Sequence, residues 1–258
     1  MTGPIHTIIS QGCNKDGIQP CCTHAIVQCP TTVISDFQER PENFKPTMVH
    51  LIDSTQNTYL FRGNNPLIDI ETEPKFAYDQ IMQTVSDQLN SMGKSISDDV
   101  VFADISFLNY VHEAETIDLE GSWFKENPSK GCLWVYPLMG AFINPVSLPA
   151  LIRDGTHKIH DADGMTVLMN SLHQLVQSNC GKTFIIYMHC AGGKDRTGEA
   201  TACYMMQFKG VSYSNAIALQ EEIAGRPLGD YCKNVIRWYA FFLRDVKQFT
   251  TVGSIEGK

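Results

Sequence analysis

The chain has 258 residues, 43% of them hydrophobic and 19% charged, with a formal net charge of −8. That balance describes an ordinary globular protein and excludes disorder over most of the length. The lack of any Lys/Arg-rich run excludes a duplex nucleic-acid binder, whose affinity rests on clustered positive charge.

Residues 1–40 alternate Cys, Pro, Thr and Gly without a sustained helical period and read as an irregular arm. Cys13, Cys21, Cys22 and Cys29 cluster there with His24, but not at the spacing of a zinc site, so no metal or other cofactor is expected. The nine cysteines, irregularly spaced, read as thiols of a reducing compartment. MTGPIHTIISQGC lacks the basic start and long apolar run of a secretory signal, and no apolar stretch reaches the ~20 residues that span a bilayer. The expectation is a cytoplasmic protein, or an exported effector without a cleaved leader.

PENFKPTMVHLIDSTQNTYLFRGNNP reads as loop, turn and a short strand ending near Arg62, with GNNP as turn chemistry. Ile81, Met82, Val85 and Leu89 recur at threes and fours and predict a helix from Lys75 to Met92. DDVVFADISFLNY and GCLWVYPL each carry a short strand, the second cut by Pro137. INPVSLPALIRDGTHKIHDADG is a loop long enough to suspect function. In MTVLMNSLHQLVQSN, Val167, Leu168, Leu172, Leu175 and Val176 trace one helical face, with Asp163 as N-cap and Gly181 as the stop.

KTFIIYMH has the continuous apolar character of a strand in the middle of a parallel sheet. Helix resumes from Thr197 to Lys209, and SYSNAIALQEEIAG and NVIRWYAFFLRDVKQF give two more. Strands alternating with helices predict an α/β domain over residues 41–249, with a central mixed, mainly parallel sheet flanked by helices. The tail, 250–258, is expected to be disordered.

Residues 186–198 read IYMHCAGGKDRTG, a buried strand that stops at His189-Cys190 and gives way to a helix near Thr197. Gly192 and Gly193 can turn their N–H groups inward without steric cost, which makes an anion nest at a helix N-terminus. A cysteine at the head of such a nest ionises more readily than a free thiol at ~8.5. Arg196 can return to the mouth of the loop and grip two oxygens of a phosphate. A Walker A loop needs Gly-Lys followed by Ser/Thr, whereas Asp195 follows Lys194 here. A lone cysteine at a strand end is ordinarily core packing; the glycines, Arg196 and Thr197 in one loop turn the reading to a nucleophile.

HCAGGKDRTG resembles the active-site loop of the cysteine-based protein tyrosine phosphatase superfamily, whose pattern is His-Cys, five residues, Arg, Ser/Thr. The resemblance implies that Cys190 attacks phosphorus to form a cysteinyl phosphate. Arg196 and the backbone of Ala191, Gly192, Gly193, Lys194 and Asp195 would hold the phosphoryl oxygens. Thr197 would donate its hydroxyl to the sulfur as water cleaves the intermediate, and His189 would order the loop. The family also needs an upstream general acid. Asp161 lies about where that acid stands; Asp154 is an alternative, and Asp195 a third, because bacterial members with this Gly-Lys-Asp-Arg-Thr loop are thought to use that position.

ENF followed by YLFRG is similar to bacterial and fungal Gly-Lys-Asp-Arg-Thr phosphatases. FADISFLNYVHEAETIDLEGSWF resembles the Asp-Leu-Arg-x-Glu-x-His segment of phytase-like inositol polyphosphatases, with Asp104 in register but Ser106 and Leu108 where Arg and Glu would be. Lys194 in the loop and Arg153, His157, Lys158 and His160 beside Asp161 form a local positive rim suited to a polyphosphorylated ring. The expected substrate is an inositol polyphosphate or phosphoinositide, a phosphorylated small molecule or phospholipid head group, with peripheral membrane contact for the latter. Tyrosine or dual-specificity phosphatase activity and a non-catalytic phosphate-binding module are the alternatives. A redox reading requires Cys203 to resolve a sulfenic acid at Cys190.

Overall fold

The computed structural model describes residues 41–97, 99–156, 161–179 and 181–255; the arm at 1–40 and the rim residues His157, Lys158 and His160 lie outside the described residues. The chain forms two compact units: Met1–Pro137 with Gln174–Gly192, and Leu138–His173 with Gly193–Lys258.

The first unit holds the sheet. Its strands are β1 (His50–Ser54), β2 (Thr58–Arg62), the short β3 (Leu67–Ile68) and β4 (Lys75–Phe76), β5 (Val100–Ser106), β6 (Gly131–Val135) and β7 (Thr183–His189). Five of them form one sheet in the order β1-β2-β7-β5-β6. Only the β1–β2 pairing is antiparallel; β2–β7, β7–β5 and β5–β6 are parallel. The fold is therefore α/β with a mixed, mainly parallel sheet, and β7 lies at its centre with both neighbours parallel, as its unbroken apolar run predicted.

Period-two alternation explains the core. Phe61 pairs in register with Tyr187, and Phe102 with Ile185, so these four share one face. Helix α1 (Tyr78–Ser91) covers that face with Ile81, Val85 and Leu89, and helix α2 (Ala114–Glu126) adds Phe124. The helix predicted from Lys75 starts at Tyr78 instead, because Lys75 and Phe76 pair with β3. The same face turns polar at the strands' carboxyl ends, where Asp104, Ser106 and His189 follow in register.

The turn after β2 is held tightly. Gly63 donates to Met188 O at 2.9 Å, and the Tyr187 phenol donates to Asn64 O at 2.8 Å. A Cβ on residue 63 would sit 1.9 Å from the Tyr187 hydroxyl oxygen. Gly63→Ala must therefore expel a fully buried ring, and we expect it to cost about 3 kcal/mol or more, read as a lower urea midpoint.

The second unit is helical. Helices α3 (Ala150–Thr156), α5 (Asp195–Phe208), α6 (Tyr213–Ala224) and α7 (Asp230–Phe241) belong to it, and α4 (Met165–Gln177) begins in it and ends in the first. Helix α5 is buried continuously from Asp195 to Tyr204 and packs against both α6 and α7. Ser212 caps α6, and Gly225 ends it in the left-handed region at φ 67°. Three hydrogen bonds tie residues 141–143 to α7: Ala141 N–H to Tyr231 O, Asn234 Nδ2 to Ala141 O and Trp238 Nε1 to Ile143 O.

Some sequence expectations are corrected. The long loop before α4 contains α3, which has no buried residue and therefore no apolar period to read. On α4, Val167 is half exposed, and the buried residues include Met165, Leu168, Met169, Leu172, Leu175 and Val176. The tail does not fray at Thr250: a 3-10 turn spans Thr250–Val252, and the Val252 and Ile255 side chains are buried.

Candidate active site

β7 ends at His189, and the next residues, Cys190 to Gly193, are all buried. Gly193 adopts φ 65°, a left-handed turn that glycine makes without strain. α5 begins at Asp195, so the sequence placed the helix start two residues late. The loop is covalently continuous across both units: Cys190 to Gly192 belong to the first, Gly193 to Thr197 to the second. Each half is fixed by its own unit.

In the first unit, His189 is fully buried, with Nε2 3.1 Å from Asp104 Oδ1 and 3.7 Å from Glu120 Oε1. Burial alone would push the imidazole down, but the charges of Asp104 and Glu120 outweigh it and leave His189 raised. Burial raises both carboxyls in turn, with His189 opposing the rise, and Glu120 is pushed up to about 8. Ligating atoms of the three residues lie within 4.8 Å of one another. Because His189 meets Asp104 directly at ion-pair distance, the group reads as a charge-balanced, proton-sharing cluster rather than a metal centre.

In the second unit, Asp195 is clamped. Arg226 donates to its two oxygens at 3.1 and 2.6 Å, and the Gly229 N–H donates to Oδ1 at 2.7 Å. A bidentate guanidinium and a backbone N–H together hold the carboxylate in one orientation. Arg196 is buried one residue on, and the Thr197 hydroxyl is buried with no hydrogen-bond partner among the described residues. Glu199, three residues beyond Arg196, is fully buried beside Asp163 and Cys232; burial first, and then the Asp163 charge, raise it well above the carboxylate range.

The upstream aspartates separate. Asp161, rather than Asp163, caps α4: its Oδ1 accepts from the Thr166 N–H at 2.9 Å and the Thr166 hydroxyl at 3.1 Å. It also lines a small groove with Val235, Trp238, Tyr239 and Phe242. Asp163 sits at φ 55° and instead accepts the N–H groups of Met139 and Gly140 at 2.9 and 2.7 Å. Asp154 is exposed and pairs with Arg153, whose guanidinium lies 4.5 Å over the Phe241 ring, so that part of the expected positive rim is packed on α7. Burial pushes the Cys203 thiol well up, which disfavours the thiolate that a resolving cysteine needs. Sequence reasoning missed Arg226, Glu120 and Glu199; a clamp between residues 31 apart leaves no local spacing to read.

Residues 152–226 match the family described as PTP-SAK, Swiss Army Knife protein, DSP-PTPase phosphatase domain. No curated protein matches the chain. Among solved structures it is similar to kinase associated phosphatase (KAP), at 12% identity and TM-score 0.41 over 83% of this chain and 98% of that one. It is also similar to the core catalytic domain of PP-IP phosphatase SIW14 from S. cerevisiae, at 14% identity and TM-score 0.40 over 83% and 93%. P. aeruginosa TpbA is similar at 15% identity and TM-score 0.36 over 85% and 100%.

Proposed function

We propose that this chain, a cysteine-dependent phosphatase of the protein tyrosine phosphatase superfamily, hydrolyses the phosphomonoesters of inositol polyphosphates or phosphoinositides. The observation that carries the proposal is the loop itself: Cys190 at the end of β7, buried glycines turning the chain, and Arg196 and Thr197 in the first turn of α5. The positively charged half of the substrate reading rests on Lys194, which stands half-buried inside the loop, and on Lys158.

In the first step Cys190 Sγ bonds to phosphorus and the P–O bond to the substrate breaks, the leaving alkoxide taking a proton from Asp161. Arg196 and the loop N–H groups from Ala191 to Asp195 balance the charge on the phosphoryl oxygens. In the second step water attacks phosphorus, giving its proton back to Asp161. The Thr197 hydroxyl, which no protein group occupies among the described residues, donates to the departing sulfur, and inorganic phosphate leaves. His189, held by Asp104 and Glu120, keeps the loop in place and takes no part in proton transfer.

Asp161→Asn separates the acid from the cap, because asparagine caps a helix as well as aspartate does. Turnover should fall by roughly 10²–10⁴-fold with the thermal midpoint unchanged; an unchanged rate moves the acid to Asp154. The substrate class is tested by phosphate release from soluble inositol polyphosphates, phosphoinositide vesicles and a phosphotyrosine peptide. Preference for the inositol compounds supports the reading, and preference for the peptide overturns it.

A further inference from the structure

Within the second unit, the segment between α6 and α7 meets the first turn of α5 at two places. At the first, the Arg226 guanidinium spans both oxygens of Asp195, while the Gly229 N–H donates to Oδ1. At the second, buried Leu228 packs where α5 carries Gly198: a Cβ there would lie 3.0 Å from Leu228 Cδ2 and 3.5 Å from Gln220 Cβ of α6. Asp195 and Gly198 are three residues apart on α5, so they share one helix face. Arg196 and Thr197 stand between them.

The segment that makes these contacts is itself held. Arg226 Nη1 also donates to Pro227 O at 2.9 Å. The Leu228 N–H donates to Glu221 Oε1 at 3.1 Å, and the same carboxylate pairs with Lys233 of α7 at 2.8 Å. Two contacts on one face fix the rotation of a helix about its axis. At about 100° per residue, that rotation sets the direction in which the Arg196 side chain leaves α5. The clamp is unlike an ordinary surface ion pair, because the Asp195 side chain is only 5% exposed and is bridged by two N–H bonds from one guanidinium.

We infer that Arg226 is a positioning residue for Arg196: acting through Asp195, it locks the first turn of α5 in the rotation at which the Arg196 guanidinium meets the phosphoryl oxygens. The inference rests on the role proposed above for Arg196. Small errors in aim are costly in group transfer, so Arg226→Gln should lower kcat about tenfold at a temperature where its melt shows it folded. Asp195→Asn should do the same, and the double variant should be no slower than either single one, because the two side chains act as one device. In an Arg196→Ala background, Arg226→Gln should change kcat by less than about twofold, since no guanidinium is left to aim.

A merely structural clamp would move the melts of these variants and leave kcat of the folded protein where it was. A kcat for Arg226→Gln within about twofold of the wild type, or losses that multiply in either pair of variants, overturn the inference. Wild-type turnover in Arg196→Ala would sink the role proposed for Arg196 and this inference with it, whereas a slow Arg196→Ala beside a fast Arg226→Gln would sink this inference alone. Should Arg226→Gln strand the Asp195 carboxylate and fail to fold, Asp195→Asn and the double variant, which leave no buried carboxylate there, still decide. Equal and slow rates for those two support the inference, and unequal or wild-type rates overturn it.

Discussion

Cys190→Ser is expected to stop phosphate release, with a loss of at least about 10⁴-fold, while the protein stays folded. A serine hydroxyl keeps the shape of the side chain but is not ionised at neutral pH, so neither the loop's N–H groups nor the helix field has a thiolate to present. The site is fully buried and the volume change small, so the thermal midpoint should shift little. Phosphate release by wild type and variant on the same substrate, with a melt of each, checks both halves. Activity retained in the folded variant would remove Cys190 from the chemistry. EDTA should leave wild-type turnover unchanged, and mild peroxide should abolish it reversibly through the same sulfur.

Arg196→Ala should lower turnover by about 10³-fold or more, because the charge on a transferring phosphoryl group then has no guanidinium opposite it. Arg196→Lys should recover only part of that loss, since an ammonium cannot make the parallel pair of N–H bonds that a guanidinium offers. Removing a buried charge often unfolds a protein by stranding its partner. One such neighbour is Glu199, whose carboxyl is already raised by burial; the Arg196 charge acts to lower it, so loss of Arg196 raises it further. Circular dichroism should show both variants folded. A fall in turnover matched by a fall in helical signal would contradict this account of Glu199.

The parts of the molecule that were legible in the sequence are those whose physics is local. The run in β7, the glycines and the start of α5 sit within a dozen residues and carry their own pattern, and α1 shows a clean apolar stripe at Ile81, Val85 and Leu89. Helix α2 has no such stripe, because its buried face is Thr116, Ile117, Glu120, Gly121 and Phe124, polar where it meets His189. The cap of α4 was assigned to the wrong aspartate since Asp161 and Asp163 stand equally near the helix start, and only the left-handed turn at Asp163 decides which carboxylate reaches Thr166. Asp195 offered itself as an acid in the sequence, and the guanidinium of Arg226 that clamps it comes from a distance no motif encodes.

The central claim is that phosphate passes through the sulfur of Cys190. Rapid mixing with a substrate that turns over, followed by an acid quench, digestion and mass spectrometry, tests it directly, with Thr197→Ala included because loss of the hydroxyl that assists sulfur departure should make the intermediate accumulate. The expected result is a phosphoryl group on the peptide that carries Cys190, more abundant in Thr197→Ala and absent in Cys190→Ser. Phosphate released at full rate with no phosphoryl group on that peptide at any time, or with one on another residue, would contradict the account.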